Sequence, residues 1–177
     1  GPRALKQVKQ IVIMTVTPSV NPRWVSGAMR HAWSLGSPVA AITDDAQSEA
    51  AQLASMVIAP ELGADAIAGY INTKAGIAQK MILTMITTGL AVRTGRVFSN
   101  LRVDLDASNT KWSERQIAIV MEAGGCTRSA AKAALESCNH NCKTAVLMVL
   151  TGLDAWKAHE LLAQNNGFIR LALQEAP

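Results

Sequence analysis

The stretch that decides the fold covers residues 69–104 and reads GYINTKAGIAQKMILTMITTGLAVRTGRVFSNLRVD. After Lys74 and Gly76 it becomes almost continuously apolar, and this pattern predicts a helix that is buried on most of its sides. The apolar positions behind this prediction are Met81, Ile82, Leu83, Met85, Ile86, Leu90 and Val92. Polar residues lie before and after them, so we expect the rest of the chain to pack around an apolar rod with polar ends.

The residues around this predicted helix are candidates for ligand binding. Lys74 places a positive charge at the helix start, where backbone amides and the helix dipole favour an anion. Beyond the helix, Asn100 lies among apolar neighbours. Ser19 and Asn21 lie in a proline-containing loop after a predicted strand, and open α/β sheets bind ligands at the carboxyl ends of their strands. From spacing alone, a turn without a ligand is the simpler interpretation of that loop.

Length and composition indicate a globular chain. Its 177 residues, 49% of them hydrophobic and 17% charged, provide enough material for the core of one domain or two small ones. The formal net charge is +4, but the basic residues are scattered and form no dense block. This distribution favours small anionic molecules as ligands and argues against a nucleic-acid partner.

Other features bear on the compartment. Thr, Gly or Lys interrupts the apolar stretches before the roughly 18 residues that a membrane span needs, so we expect no membrane segment. No charged-then-apolar signal sequence opens the chain. The three cysteines are an odd number, which argues against a disulfide framework.

The first part of the chain alternates between strand and helix patterns. Continuous apolar runs predict strands at residues 11–16, 39–42 and 56–59, and helical spacing predicts helices at 24–35 and 47–54. This β-α-β-α-β order indicates a parallel sheet. Because three strands make only part of a doubly wound sheet, an edge and a face remain uncovered. We therefore expect either a homodimer or a partner chain that supplies the missing half.

The second part has only helical patterns. Helices are predicted at 113–123, 130–137, 144–150, 155–164 and 168–174. The proposed caps are Ser113, then Thr127 or Ser129, then Asn141 or Lys143, and finally Asp154. These short helices with tight turns indicate a small bundle, so we place a domain boundary near residue 110.

Two groups of residues allow a chemical interpretation that we do not favour. Cys138, His140 and Cys142 are closely spaced and contain zinc-binding side chains, but the spacing matches no standard finger. Small buried thiols are the alternative, and we expect no metal and no cofactor. Asp44 and Asp45 form a carboxylate pair, which is better explained as the cap of the following helix.

Several motifs carry a family resemblance. They are Lys74-Ala-Gly-Ile-Ala-Gln-Lys80, Thr88-Gly-Leu90, Gly95-Arg-Val-Phe-Ser-Asn-Leu101 with Val103-Asp104, Ser108-Asn109, Cys138-Asn-His-Asn-Cys-Lys-Thr-Ala145 and Asn166-Gly-Phe-Ile-Arg170. Together they resemble the signature of the N-acetylmuramic acid 6-phosphate etherases of the sugar isomerase (SIS) superfamily. The resemblance covers residues 11 to about 175.

The resemblance implies a fold and an activity. The fold is a partial SIS-type parallel three-layer α/β sandwich over residues 4–109, followed by a small all-α carboxy-terminal bundle over 110–177. The activity is a cofactor-free elimination of D-lactate from a muramic acid 6-phosphate ether. This lyase reaction gives N-acetylglucosamine 6-phosphate during peptidoglycan recycling in the bacterial cytoplasm.

The chain also departs from the family pattern. No part of it matches the amino-terminal half of the family, which carries a phosphate loop and the glutamates that act as acid and base. The second phosphate loop is eroded, because only Ser19 of that loop is retained at residues 17–24. Tyr70-Ile-Asn-Thr73 replaces a Ser/Thr-Arg segment, and Ile77 replaces a threonine. Hydroxyl and guanidinium donors that would hold a phosphate are therefore missing.

Two hypotheses follow. The first is the carboxy-terminal part of an etherase, inactive alone because no glutamate of this chain aligns with the catalytic base and so no catalytic residue is assigned. The second is a non-catalytic SIS-type module that binds a sugar phosphate or a partner, as the glucokinase regulatory protein does on a related fold. In either case the expected ligand is a hexosamine 6-phosphate bound by Ser19, Asn21, Lys74 and Asn100, with Ser19 and Lys74 on the phosphate.

Overall fold

The computed structural model describes residues 12–16, 23–67, 73–105 and 110–176, and for 12–16 it describes the backbone alone. The fold is α/β and mostly helical. Its elements in chain order are β1 (Val12–Val16), α1 (Arg23–Ser34), β2 (Val39–Thr43), α2 (Glu49–Leu53), β3 (Met56–Ile58), α3 (Thr73–Arg93), β4 (Val97–Phe98), β5 (Leu101–Arg102), α4 (Thr110–Gly124), α5 (Arg128–Ser137), α6 (Cys142–Thr151), α7 (Ala155–Gln164) and α8 (Ile169–Glu175).

The predicted β-α-β-α-β order is confirmed. β1, β2 and β3 form a parallel sheet in that order, with Val12 opposite Val39 and Ala40 opposite Met56. All five residues of β2 are buried, as expected for a central strand that is covered on both faces. The three residues of β3 are exposed. The central strand of the sheet, β2, is therefore buried, whereas the outer strand β3 is exposed.

Helices α1 and α2 cover part of this sheet. Val25, Met29 and Ala32 of α1 pack with β2 residues and with Ala50 of α2 in a small core. The cap of α2 corrects one prediction, because the helix is capped by Ser48, whose Oγ accepts from the backbone N of Ala51 at 3.3 Å. The Asp44-Asp45 pair does not cap it: Asp45 Oδ1 instead accepts from the backbone N of Gln47 at 2.8 Å, within the preceding turn.

The burial predicted for α3 is wrong. Within the described residues only Ala75 and Ile82 of this helix are buried. The exposed apolar side chains include Ile77, Met81, Met85, Leu90 and Val92, each with more than half of its surface accessible. The apolar run is helical as predicted, but the described chain supplies too little packing surface to cover it.

The expectation that no segment has the length and composition of a membrane span is also wrong. By those two criteria, α3 with its 21 residues is long enough and apolar enough to cross a membrane. Its threonines, glycines and lysines do not lower the overall apolar character below that of a span. A helix that packs against protein meets the same criteria, so length and composition do not distinguish the two.

A β-hairpin that was not predicted from the sequence follows α3. Val97 pairs with Arg102 in antiparallel register, and Ser99 and Asn100 form the two-residue turn. The helix ends at Arg93 and is followed by Gly95, which has a φ of +65°. The N of Gly95 donates to Val92 O and the N of Arg96 donates to Ala91 O at 2.9 Å, the pattern of a Schellman motif.

The carboxy-terminal helices pack around a continuous core, which confirms the predicted run of short helices. Its largest fully buried members are Leu135, Leu147, Val103, Val120 and Val146. Thr127, Asn141 and Asp154 cap α5, α6 and α7 as proposed, and Gly152 ends α6 with a φ of +75°. Ser113 is not a cap, because α4 already begins at Thr110.

The chain divides into two compact units, residues 1–85 and 86–177. The first holds the parallel sheet with α1 and α2, and the second holds the hairpin and the carboxy-terminal helices. The division falls within α3, because the apolar helix continues from one unit into the other. The domain boundary near residue 110 stays a prediction.

Candidate functional site

The four residues predicted to bind a ligand have different positions. Ser19 and Asn21 lie outside the described residues. Lys74 belongs to the first compact unit and Asn100 to the second, and each has a defined local environment. The structure therefore gives two separate pieces of local geometry.

Lys74 lies in the first turn of α3, as predicted. Its backbone N donates to Asp65 Oδ1 at 3.2 Å, so the carboxylate of a preceding loop satisfies one of the orphan amides of the helix. The Nζ of Lys74 donates to the carbonyl oxygens of Ala64 and Leu62. These contacts hold the ammonium at the helix start, where a positive charge attracts an anion.

Asn100 lines a cleft between the end of α3 and the hairpin, which we call the Asn100 cleft. Its volume is about 580 Å³, within the range of small-molecule sites. Apolar side chains from α3 and β4 form part of the wall. The polar side chains along it include Thr88, Arg96, Ser99, Asn100, Arg102 and Asp104.

Three charged residues of the cleft form a connected group. Asp104 has a side chain that is only 18% exposed, and it accepts from Arg102 Nε at 2.7 Å and lies 3.6 Å from Arg96 Nε. The hydrogen bond to Asp104 and its charge raise the pKa of Arg102 above its ordinary value. One largely buried carboxylate therefore anchors two guanidinium groups at the cleft.

Lys143 of α6 adds a further positive charge near this group. Its Nζ donates to Gly167 O at 3.0 Å. Burial lowers the pKa of Lys143. The charge of Asp104 opposes this change, whereas the charge of Arg96 reinforces it. The excess of positive charge around Asp104 thus extends from the hairpin to the start of α6.

The thiols do not form a metal centre with the neighbouring histidine. Within the part of the chain that the structure describes, no three His, Cys, Asp or Glu side chains are placed to hold a metal ion. Cys138 Sγ donates to Asn141 O at 3.3 Å, and Cys142 is buried. Burial, with the nearby charges of Cys138 and Asp104, raises the pKa of Cys142 to about 12. Burial also raises the pKa of Cys138, so both thiols favour the protonated form.

Arg96 and Arg102 were not predicted as candidate site residues. The available signal was a Ser-Asn pair with apolar and charged residues on both sides, which is compatible with a short hairpin. Interpreting residues 95–104 as the exit from a helix concealed this signal. Once the hairpin is recognised, Arg96, Arg102 and Asp104 are expected near one another because the two strands pair.

Comparison with known proteins gives one consistent group of relatives. The chain is 46% identical over 162 residues to the N-acetylmuramic acid 6-phosphate etherase of Klebsiella aerogenes, a match of 92% of this chain and 54% of the relative. It is 46% identical over 164 residues to the etherase of Aliivibrio fischeri strain MJ11, covering 93% of this chain and 55% of that protein. For N-acetylmuramic acid 6-phosphate etherase 2 of Vibrio parahaemolyticus the identity is 42% over 171 residues, with 97% and 57% covered.

The chain spans little more than half the length of these curated relatives. The matched part is their carboxy-terminal half. No family model matches the chain.

Proposed function

We propose that this chain is the carboxy-terminal part of an N-acetylmuramic acid 6-phosphate etherase, because it matches the carboxy-terminal half of proteins with that name. The observation that carries this proposal is the identity of 42% to 46% across nearly the whole chain. The reaction is the elimination of D-lactate from N-acetylmuramic acid 6-phosphate, which leaves N-acetylglucosamine 6-phosphate and requires no cofactor. We place the protein in the bacterial cytoplasm.

The chemistry supports the view that this part is inactive alone. Removal of the proton α to the lactyl carboxylate requires a positioned base. No described glutamate lines the Asn100 cleft. Four of the glutamates are held in contacts with other side chains: Glu49 with Arg30, Glu114 with Arg128, Glu136 with Lys132 and Glu175 with Asn165. We therefore assign no catalytic residue to this chain and place the base in the half that it lacks.

The exposed surface of α3 supports a partner. Ile77, Met81 and Met85 recur at intervals of four residues, so they form one apolar stripe along the helix. Stripes of this kind are normally buried against another element. We propose that the missing half of the SIS sandwich, or a second copy of this chain, covers it.

The proposed ligand is a hexosamine 6-phosphate. Ser19 and Lys74 contact its phosphate in this proposal, and Asn21 and Asn100 contact the sugar. The position of Lys74 in the first turn of α3 supports its role, since an ammonium and the amides of a helix start attract the same anion. The roles of the Ser19 hydroxyl and the Asn21 amide, both in the loop at residues 17–22, remain predictions from the sequence.

Lactate release is the direct test of this function. N-acetylmuramic acid 6-phosphate is incubated with this chain alone, and with this chain plus the unmatched amino-terminal part of the Klebsiella aerogenes relative. The complete relative is the positive control. We expect lactate from the mixture and from the control only. Release by this chain alone at the rate of the complete relative would show that the base lies here, and no release from the mixture would contradict the proposed assembly.

A non-catalytic sugar-phosphate-binding module is the second candidate. It is favoured by the lack of a described glutamate at the Asn100 cleft. Calorimetric titration with N-acetylglucosamine 6-phosphate separates the two candidates when it is combined with the lactate assay. Binding without release from any mixture identifies a sensor, and release from the mixture identifies an etherase part.

Sedimentation velocity tests the proposed assembly. We expect this chain to sediment as a dimer or larger species, and to form a heterodimer when the amino-terminal part is added. Met81→Lys introduces a charge into the apolar stripe and should weaken both associations. Lys132→Glu, on the exposed surface of α5, is the control. A stable monomer in every mixture would exclude the stripe as an interface.

A further inference from the structure

Arg96 and Arg102 have no part in the proposed function, although both line the Asn100 cleft. We propose that these two arginines form an anion subsite that binds a carboxylate or a phosphate monoester. The proposal rests on the etherase assignment only for the choice between these two groups, because the proposed substrate carries both. Its physical basis is the arrangement of charges at the end of α3 and in the hairpin.

The two guanidinium groups are oriented towards a single carboxylate. Both guanidinium groups face the same carboxylate through Nε, with Arg102 Nε at 2.7 Å and Arg96 Nε at 3.6 Å from Asp104 oxygens. The Asp104 side chain is largely buried, whereas the arginine side chains are 54% and 64% exposed. Each arginine is therefore held at one edge and accessible over the rest of its fork, the arrangement that carboxylate and phosphate oxygens recognise.

The charges of these residues do not cancel. Asp104 neutralises only one of the two guanidinium groups, so the group keeps a net positive charge. Lys143 adds to this excess, and the charges of Asp104 and Arg96 both act on the pKa of its ammonium. An anion that enters the cleft meets a positive field that the protein has not cancelled. Thr88 and Asn100 line the same cleft and add neutral hydrogen-bonding groups.

The hairpin turn brings the two arginines close to one another. Ser99, the first turn residue, has a φ of +54°. A two-residue hairpin turn requires a positive φ at this position, so the turn itself accounts for this value. The Ser99 turn brings Arg102 back beside the start of the hairpin, because Val97 pairs with Arg102.

The competing explanation is an ion-pair network that only stabilises the hairpin. Both explanations predict that the arginines contact Asp104, so a stability measurement does not separate them. Anion binding does separate them, because a structural network has no reason to prefer phosphate or lactate to chloride. The matched control is Arg128, another exposed arginine that pairs with a carboxylate, in this case Glu114.

The experiment is a titration followed by amide NMR spectra of the 177-residue chain. Inorganic phosphate and D-lactate are added separately, with sodium chloride at equal ionic strength as the reference. We expect saturable shifts at residues 96–102, and a loss of affinity of roughly tenfold when Arg96→Gln and Arg102→Gln are combined. Arg128→Gln should bind like the unmodified chain. Unchanged spectra outside the hairpin serve as the check that the double variant is folded.

Each outcome decides the proposal. Stronger shifts with phosphate assign the subsite to the phosphate group, in place of Ser19 and Lys74. Stronger shifts with D-lactate assign it to the carboxylate. Shifts no larger than those with chloride, or equal weakening by Arg128→Gln, would overturn the subsite. This result is independent of lactate release, so failure of the subsite and failure of the proposed etherase function are distinguishable.

Discussion

The carboxy-terminal helices and the apolar helix α3 use similar residues in opposite ways. In the helical unit, Leu135, Val146 and Leu147 are almost completely buried in one continuous core. On α3, Met81, Met85 and other large apolar side chains remain more than half exposed. The contrast shows that an apolar sequence predicts a helix, whereas its burial depends on what else the chain provides.

The difference also has an energetic meaning. Burying a large aliphatic or methionine side chain stabilises a fold by about 1.5 to 3 kcal/mol relative to leaving it exposed. The helical unit gains this energy from its own residues. The stripe on α3 gains most of it only when a partner covers it. We therefore expect stability to be concentrated in the helical unit and association to involve α3.

The largest expected effect distinguishes the two regions directly. Leu147→Ala removes a fully buried side chain and should lower the free energy of unfolding by about 2 to 5 kcal/mol. Leu90→Ala is the matched change on α3, and at 55% exposure it should cost less than about 1 kcal/mol. Urea denaturation of both variants gives the comparison. Equal losses would mean that α3 is buried in solution, by a partner or by a second copy.

A smaller effect is expected where α3 enters the hairpin. Gly95 has a φ of +65°, and a Cβ at this position would lie 2.9 Å from the carbonyl oxygen of Gly167. Gly95→Ala should therefore destabilise the protein by roughly 3 kcal/mol, combining backbone strain and a steric clash. Gly125 has a similar φ of +61° but no neighbour within 4 Å, so Gly125→Ala should cost only the strain, about 1 kcal/mol.

Thermal or urea unfolding of the two glycine variants measures the difference between them. A difference of about 2 kcal/mol is expected from the steric term alone. Equal costs would show that the Gly95–Gly167 approach is relaxed in solution. In that case Arg96, which follows Gly95 directly, would also be held less firmly in its position.

A third prediction concerns alkaline pH. Burial raises the pKa of Cys142 from 9.0 to about 12, so the folded state retains a proton that the unfolded state loses in this range. Stability from this group is complete below pH 9 and falls by about 1.4 kcal/mol per pH unit as the pH rises toward 12. Cys142→Ala should flatten this decrease, measured as unfolding free energy between pH 8 and pH 10.

Cys126→Ala is the control for the alkaline measurement, since Cys126 lies in the same helical unit and is only partly buried. This variant shows the effect of removing a thiol side chain elsewhere in the unit. Lys143 acts in the opposite direction, because its lowered pKa makes the unfolded state bind the additional proton and stability rises with pH. A steeper slope after Cys142→Ala would contradict the burial of this thiol.

Most of the fold could be predicted from local patterns. The strands at 12–16, 39–43 and 56–58 are short apolar runs between turn residues, and the N-caps Asn141 and Asp154 predict where α6 and α7 begin. Because each of these signals lies within a few residues, a single sequence is sufficient to find them. The hairpin after α3 was missed because its strands have only two residues each, too few to establish an alternating pattern.

The site was less predictable, because it depends on contacts between distant residues. Lys74 was found through its position at a helix start, and Asn100 through its place among apolar residues beyond that helix. The role of Asp104 as an anchor for Arg96 and Arg102 follows from strand pairing, which residue spacing alone did not reveal. The burial of α3 was mispredicted for a related reason. The apolar pattern of a helix does not show whether other elements of the protein are present to cover it.

The smallest expected effects test whether the two compact units unfold separately. Ser48 caps α2 and Thr127 caps α5, and in both cases the hydroxyl accepts from a backbone N at 3.3 Å. Ser48→Ala and Thr127→Ala should each cost about 1 kcal/mol. If the units are independent, hydrogen exchange will show that Ser48→Ala accelerates exchange only within residues 1–85 and Thr127→Ala only within 86–177. If either change accelerates exchange in both units equally, the continuous helix α3 couples them into one cooperative structure.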